Sequence, residues 1–177
     1  MPKAVVVADI LQEFIYGPKF GNARVQGILP HVASLLGRAR ARKVPVVYVH
    51  DAHRRTDPEM AIWGKHAMRG SAAAEFVPVI APRPGEEVIE KRTYSCFYRT
   101  RLDRVLRGMG VDEVVLTGVL TDICIRHTAA DAFYRGYAIT VPQDCVETVS
   151  DGVQRRALAE MKALYNAKVI RQKGVTM

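Results

Sequence analysis

Three residues able to do chemistry together stand just beyond apolar runs of this 177-residue chain. Cys124 follows the run Glu113–Leu116 and the segment Thr117-Gly118-Val119-Leu120-Thr121-Asp122, and it opens a helical pattern that continues into Ile125 and Thr128. A thiol at a helix N-terminus is held as thiolate by the helix dipole and by unpaired N–H groups, and the same amides can face an oxyanion. Asp9 ends the run Val5-Val6-Val7-Ala8, and Lys91 comes just past Val88-Ile89. A carboxylate beside a thiol can take its proton, while a nearby ammonium favours both the thiolate and the ionised carboxylate. Each residue alone has a bland counterpart: a small buried hydrophobe, a turn or cap residue, a solvated cation. Three suitable types at the ends of three different strands point to nucleophilic catalysis.

A second group reads as a metal site. The stretch Tyr48-Val49-His50-Asp51-Ala52-His53 extends one strand, and residues two apart on a strand project to the same side, so Asp51 and His53 can reach one ion. His66, in Trp63-Gly64-Lys65-His66, supplies a third ligand. A carboxylate with two imidazoles suits zinc, iron or manganese and leaves positions for water or substrate. His31 and His127 read as surface or helix-packing residues without a role. Cys145 reads as a small buried residue, and Cys96, in a loop near Lys91, can face the pocket without a catalytic part.

The elements that must position these residues follow from periodicity. Apolar, β-branched runs at Ala4–Ala8, Val44–Val49, Val88–Ile89, Val114–Leu116, Ala138–Val141 and Val169–Ile170 predict buried strands. Three-to-four spacing predicts helices over Val25–Arg42, Leu102–Met109, Ile125–Tyr134 and Val153–Tyr165, the last capped at Ser150-Asp151. Strands alternating with helices imply βαβ units, hence an α/β fold: a three-layer α/β/α sandwich on a mostly parallel six-stranded sheet, in one domain spanning residues 1–177. Ligands in such sheets bind beyond the carboxyl ends of the strands, where Asp9, Asp51–His53, Lys91 and Thr117–Cys124 all fall. The irregular stretch from Arg54 to Gly85 is long enough to be a functional loop or lid.

Composition narrows the function classes. About half of the residues are hydrophobic (49%), yet no run approaches the roughly 18 apolar residues of a membrane span, and the start Met1-Pro2-Lys3 shows no signal-peptide pattern. The three cysteines are odd in number and lack CxxC spacing, which argues against a disulfide framework or zinc knuckle and for a reducing, cytoplasmic setting. The net charge of +8 is spread along the chain, with Arg38, Arg40, Arg42 and Lys43 at one helix end and Arg99, Arg101, Arg104 and Arg107 around another. That distribution reads as solvated faces rather than a nucleic-acid surface.

Taken together, Asp9 to Phe14 (DILQEF), Asp51 to His53 (DAH), Trp63 to Gly70 (WGKHAMRG) with Glu75, Lys91 to Phe97 (KRTYSCF) and Gly118 to Ile125 (GVLTDICI) resemble the isochorismatase-like cysteine hydrolases. The resemblance runs from Val5 to about Thr148 and is nearest to nicotinamidases and pyrazinamidases. It implies Asp9 as general base, Lys91 as the ammonium that holds the charge network and Cys124 as nucleophile. It further implies a cis peptide between Val119 and Leu120, with the amides of Leu120 and Cys124 as oxyanion hole. Asp51, His53 and His66 match metal ligands, with zinc expected and iron or manganese as alternatives, and Phe14 and Trp63 match aromatic residues that sandwich a flat ring. Many nicotinamidases carry a further histidine after the DxH pair, but Arg54 to Ile62 contains none, which leaves three protein ligands; Leu11 also replaces a common glutamine. The implied reaction is hydrolysis of nicotinamide to nicotinate and ammonia. Competing readings are another small amide, such as a carbamoyl or ureido compound; isochorismate cleavage, whose vinyl-ether chemistry calls for acid catalysis rather than a thiol; and a binding module that kept the fold without catalysis. Relatives of this kind are often dimers or higher assemblies, so a homo-oligomer is expected.

Overall fold

Strands covered on both faces must be apolar at successive positions, and the chain meets that demand at its start: Ala4 through Ala8 are all essentially inaccessible. The computed structural model describes every residue from Met1 to Met177. Its strands are β1 (Lys3–Ala8), β2 (Val46–Asp51), β3 (Glu87–Lys91), β4 (Glu113–Val119), β5 (Ala138–Pro142), β6 (Val146–Glu147) and β7 (Lys168–Ile170). Six of them lie side by side in the order β3-β2-β1-β4-β5-β7, and the two-residue β6 adds a seventh by pairing with the carboxyl end of β4. Every pairing is parallel.

Helices cover both faces: α1 (Gln12–Tyr16), α2 (Ala23–Gly27) and α3 (Leu29–Ala41) on one side, α5 (Leu102–Gly108), α6 (Arg126–Tyr134) and α7 (Asp151–Tyr165) on the other, with the short α4 (Glu59–Trp63) in the long connection after β2. Alternate strand residues feed the two cores. Val5, Val7, Tyr48 and Val115 pack with Val32, Leu35 and Leu36 of α3, whereas Val6, Val49, Val114 and Leu116 pack with Leu102, Leu106, Ala129 and Met161. Each such buried aliphatic side chain contributes about 1.5–3 kcal/mol relative to exposure. The structure is therefore the expected three-layer sandwich, with one short strand more than the sequence predicts.

The predicted helix over Val25–Arg42 is two helices. Pro30 has no N–H to give to the Gln26 carbonyl, which accepts instead from Ile28, so α2 ends and α3 begins with its proline in the first turn. Ser150 caps α7 as expected, accepting from the Val153 N–H, and Asn166 closes it in a left-handed conformation. Two of the four cationic residues at the end of α3 are engaged: Arg38 donates to the carbonyls of Gln172 and Val175, and Arg40 donates to Glu86. No helix is long and apolar enough to cross a membrane.

Register then builds the site. Asp51 is paired with Lys91 across β2 and β3, and Ala8 with Gly118 across β1 and β4, so the ends of four strands arrive together. Gly118 makes the last approach possible. Its φ is +127°, and a Cβ there would lie 1.8 Å from the Ala8 carbonyl oxygen.

Candidate active site and metal centre

Asp9 leaves β1 in the left-handed region, with φ of 58°, which turns its carboxyl toward β2 and β3. One carboxylate oxygen accepts from the Asp51 N–H at 2.8 Å, and the other is 2.8 Å from the Lys91 ammonium. Lys91 also donates to Asp51 at 2.5 Å and stands 3.7 Å from the Cys124 sulfur. Asp9, Lys91 and Cys124 are thus brought into one buried cluster, the side chains of Asp9 and Lys91 being wholly inaccessible. Acceptor atoms of Asp9, Asp51 and Cys124 all lie within 4.8 Å of one another.

Electrostatics assigns the resting protons. Burial and the neighbouring Asp51 raise the Asp9 carboxyl to about 6, against the pull of Lys91 and of the Cys124 thiol. Burial would strip Lys91 of its proton, but Asp51 and Asp9 overcome this and hold it firmly as an ammonium. Burial would also push Asp51 up, and Lys91 reverses that and keeps it ionised. Cys124 departs from the sequence expectation. Burial pushes its thiol well above the ordinary range, Asp9 and Asp51 add to the effect, and Lys91 opposes them. Nor does Cys124 open an α-helix: it lies in a π turn, Thr121–Ile125, where the Ile125 N–H reaches back to the Leu120 carbonyl before α6 begins. The resting group is a neutral thiol beside a carboxylate of intermediate basicity. The peptide between Val119 and Leu120 is cis, as the resemblance implies, and Leu120 precedes the turn that carries Cys124.

Asp51, His53 and His66 also come together, joined by Glu59, and one ligand atom from each lies within 4.8 Å of the others. All four residues are buried. Both imidazoles offer Nε2 to the centre of this group. His53 Nδ1 is 3.1 Å from Asp57 Oδ2, and His66 Nδ1 is 2.8 Å from the Gly64 carbonyl oxygen, which leaves each Nε2 with its lone pair free. His53 Nε2 and Glu59 Oε1 have no hydrogen-bond partner although buried. Buried polar atoms without partners are rare, and two carboxylates with two imidazole lone pairs suit a divalent cation such as zinc, iron or manganese. Glu59 thus stands beside the three residues expected as ligands. Glu59 stands in the segment Arg54–Ile62, where only a histidine was looked for; it and Asp57 are the acidic residues there, and a carboxylate ligand was the legible alternative.

A cavity of about 430 Å³ opens over Cys124 and over Asp51, Glu59 and His66. Phe14, Phe20, Trp63, Tyr94, Leu120, Ile123 and Val149 line it. Phe14 and Trp63 thus stand where expected, and Phe20, 5.4 Å from Phe14 and 6.4 Å from Trp63 between ring centres, completes an aromatic wall. Trp63 is anchored through its indole N–H to the Tyr94 hydroxyl at 3.0 Å. Lys19 sits at the rim, donating to the Trp63 carbonyl and paired with no carboxylate. The long connection expected to serve as a lid supplies Glu59, Trp63 and His66. Cys96 is buried outside this lining, its thiol pushed up to about 12 by burial, and Cys145 is buried in the core against α3.

Comparison with known proteins identifies the family of this fold. The family model described as the isochorismatase domain matches residues 3–173. An N-carbamoylsarcosine amidase from Thermoplasma acidophilum is 40% identical, with a TM-score of 0.94 and the whole of both chains covered. The maleamate amidohydrolase of Pseudomonas putida is 31% identical over 96% of this chain and 83% of its own length. The pyrazinamidase of Pyrococcus horikoshii, solved in complex with zinc, is 27% identical with a TM-score of 0.89, covering 97% of this chain and 99% of its own. With the match running through nearly every element that carries the site, the chain belongs to the isochorismatase family.

Proposed function

We propose that this protein is a cysteine-nucleophile amidohydrolase of a small amide, with Cys124 as nucleophile, Asp9 as proton carrier and Lys91 as the charge that supports both. The observation that carries the reading is the single buried ammonium of Lys91 lying within reach of Asp9, Asp51 and Cys124, of which Asp51 and Cys124 line an aromatic cavity. As substrate displaces water, Asp9 takes the thiol proton while Lys91 stabilises the emerging thiolate. The sulfur attacks the carbonyl carbon, and the oxyanion faces the backbone N–H groups of Leu120 and Cys124. The proton on Asp9 passes to the departing nitrogen, the C–N bond breaks, and an acyl thioester with Cys124 remains. Water then gives a proton to Asp9 and attacks the thioester, and the returning proton restores the thiol. A carboxyl near 6 suits a group that must accept and release a proton in turn.

Asp51, His53, Glu59 and His66 would hold a divalent cation, which when bound supplies a Lewis-acid contact that positions a substrate lone pair. For the substrate, carbamoyl or ureido compounds carrying a carboxylate come first, ahead of the nicotinamide expected from the sequence. The full-length similarity to an N-carbamoylsarcosine amidase supports that order, as does Lys19, a cation in the cavity lining that pairs with none of the carboxylates Asp51, Glu59 and Asp122 found there. Nicotinamide is the second reading, favoured by the histidine-carboxylate cluster and by the flat walls of Phe14, Phe20 and Trp63.

The test is ammonia release from N-carbamoylsarcosine, maleamate and nicotinamide by the purified protein and by Cys124→Ala, each with chelator and with added zinc. Turnover of at least one amide that disappears in the folded Cys124→Ala protein is the expected result. Equal turnover by the variant would remove the scheme.

A further inference from the structure

His53 can serve a cation only if one particular nitrogen is left bare, and the structure contains a device for that outside the ligand set. The Asp57 carboxylate is buried and is held from three directions. Its Oδ2 accepts from the Arg54 N–H at 2.9 Å and lies 3.1 Å from His53 Nδ1; its Oδ1 accepts from Arg92 Nε at 2.8 Å and from a second guanidinium nitrogen. The opposite ring nitrogen, His53 Nε2, has no hydrogen-bond partner and points between Asp51 Oδ2 and Glu59 Oε2, at 3.5 and 3.6 Å. A neutral imidazole carries one N–H, and an ionised carboxylate can only accept. Asp57 therefore draws that hydrogen to Nδ1.

We propose that Asp57 is the positioning residue of the metal centre, fixing the tautomer and ring plane of His53, with Arg92 as the clasp that holds Asp57 in place. The proposal rests on the metal-binding reading of Asp51, His53, Glu59 and His66 given above. Asp57 is not a ligand: it meets His53 from the far side of the ring. His66 is oriented by a neutral carbonyl, that of Gly64, whereas His53 is oriented by a full negative charge, which also makes its Nε2 a stronger donor to a cation. The same residue starts the turn into α4, since the Met60 N–H donates to the Asp57 backbone carbonyl at 3.0 Å, so Asp57 links His53, through its side chain, to the segment that delivers Glu59, through its backbone. Arg92 is half exposed, at 49% for its side chain, against 1% for that of Asp57, so the clasp can be removed from the solvent side without opening the core.

The experiment measures zinc affinity of the intact protein by competition with a chromophoric chelator, for wild type, Asp57→Ala, Asp57→Asn and Arg92→Ala. Thermal melting checks the fold, and long-range proton–nitrogen NMR correlation reads the His53 tautomer. Wild type should bind zinc with His53 protonated at Nδ1. Asp57→Ala should bind roughly 10–100-fold more weakly and lose the single tautomer, while Asp57→Asn, whose amide oxygen still accepts from Nδ1, should keep the tautomer and lose less. Arg92→Ala should fall between wild type and Asp57→Ala, and it decides the matter with Asp57→Asn if the alanine variant at 57 does not fold. Wild-type affinity and an unchanged tautomer in the folded Asp57 and Arg92 variants would overturn the positioning role alone. A wild-type protein that takes up no zinc would overturn the metal reading and this inference with it.

Discussion

Replacing Lys91 by methionine keeps most of the side-chain volume and deletes one charge from the centre of the site. In the wild type that charge lies 2.8 Å from Asp9 and 2.5 Å from Asp51, with all three side chains at most 3% exposed. Removing one partner of a buried ion pair leaves an uncompensated charge and costs about 3–5 kcal/mol. For a domain of this size, each kcal/mol lowers the melting temperature by about 2–4 °C, so a drop on the order of 10 °C is expected. The deficit depends on pH in a definite direction. Without the ammonium, Asp9, already raised to about 6, climbs further above its unfolded value of 3.8. A carboxyl raised on folding binds more protons in the native state, so its contribution to stability falls as pH rises above the unfolded value. The Lys91→Met protein should therefore be nearer to wild type at pH 5 than at pH 8. Its kcat/KM should fall by roughly 10²–10⁴, the range of a lost proton-transfer group, because neither a readily ionised Asp9 nor a supported thiolate remains. Melting followed by circular dichroism across pH, together with ammonia release, reads both quantities. A variant that melts like wild type at pH 8 and retains its rate would refute the reasoning that one buried ammonium holds this cluster together.

Gly118→Ala should destabilise the protein by about 3 kcal/mol or more, since the new Cβ would meet the backbone of Ala8 and no flexible side chain can give way; a chemical-denaturation midpoint like that of wild type would contradict this. Glu59→Gln should leave the melting temperature nearly unchanged and weaken zinc binding, measured by calorimetry, because one anionic ligand becomes neutral while the buried shape is kept. Lys19→Met should raise KM for carboxylate-bearing amides and leave KM for nicotinamide unaltered; equal effects on both would remove Lys19 as an anion contact. Burial works to raise Glu86, but hydrogen bonds from Arg40 and the Arg83 N–H outweigh it and hold the carboxyl below its ordinary value of 4.5. Its stabilisation is accordingly present above that value and lost as pH falls through the lower folded one. Glu86→Gln should thus cost on the order of 1 kcal/mol at neutral pH, with the gap to wild type closing in acid.

The sequence by itself determined the layers and the end of the sheet where chemistry would occur. Fully apolar runs such as Val5-Val6-Val7-Ala8, alternating with helical segments, are best buried in the interior of a parallel sheet, and residues that follow such runs emerge at its carboxyl edge. Asp9, Lys91, Cys124 and the pair Asp51 and His53 could be singled out for that reason, whereas His66 stood out only as a histidine in the connection that follows them. Boundaries were less legible where hydrogen bonding competes with periodicity: the apolar spacing of Val25–Arg42 runs smoothly through Pro30, yet the missing N–H divides it. Only the tertiary structure decided what depends on distances between segments remote in the chain. Register across β2 and β3 sets Lys91 beside Asp51, and the path of the connection after β2 brings Glu59 to His53 and His66. Asp57 was invisible as a partner of His53 because an aspartate before a proline reads locally as a turn. The protonation of Cys124 was likewise undecided by its neighbours in sequence. A helix start favours the thiolate, but burial beside two carboxylates disfavours it more strongly, and burial is a property of the assembled fold.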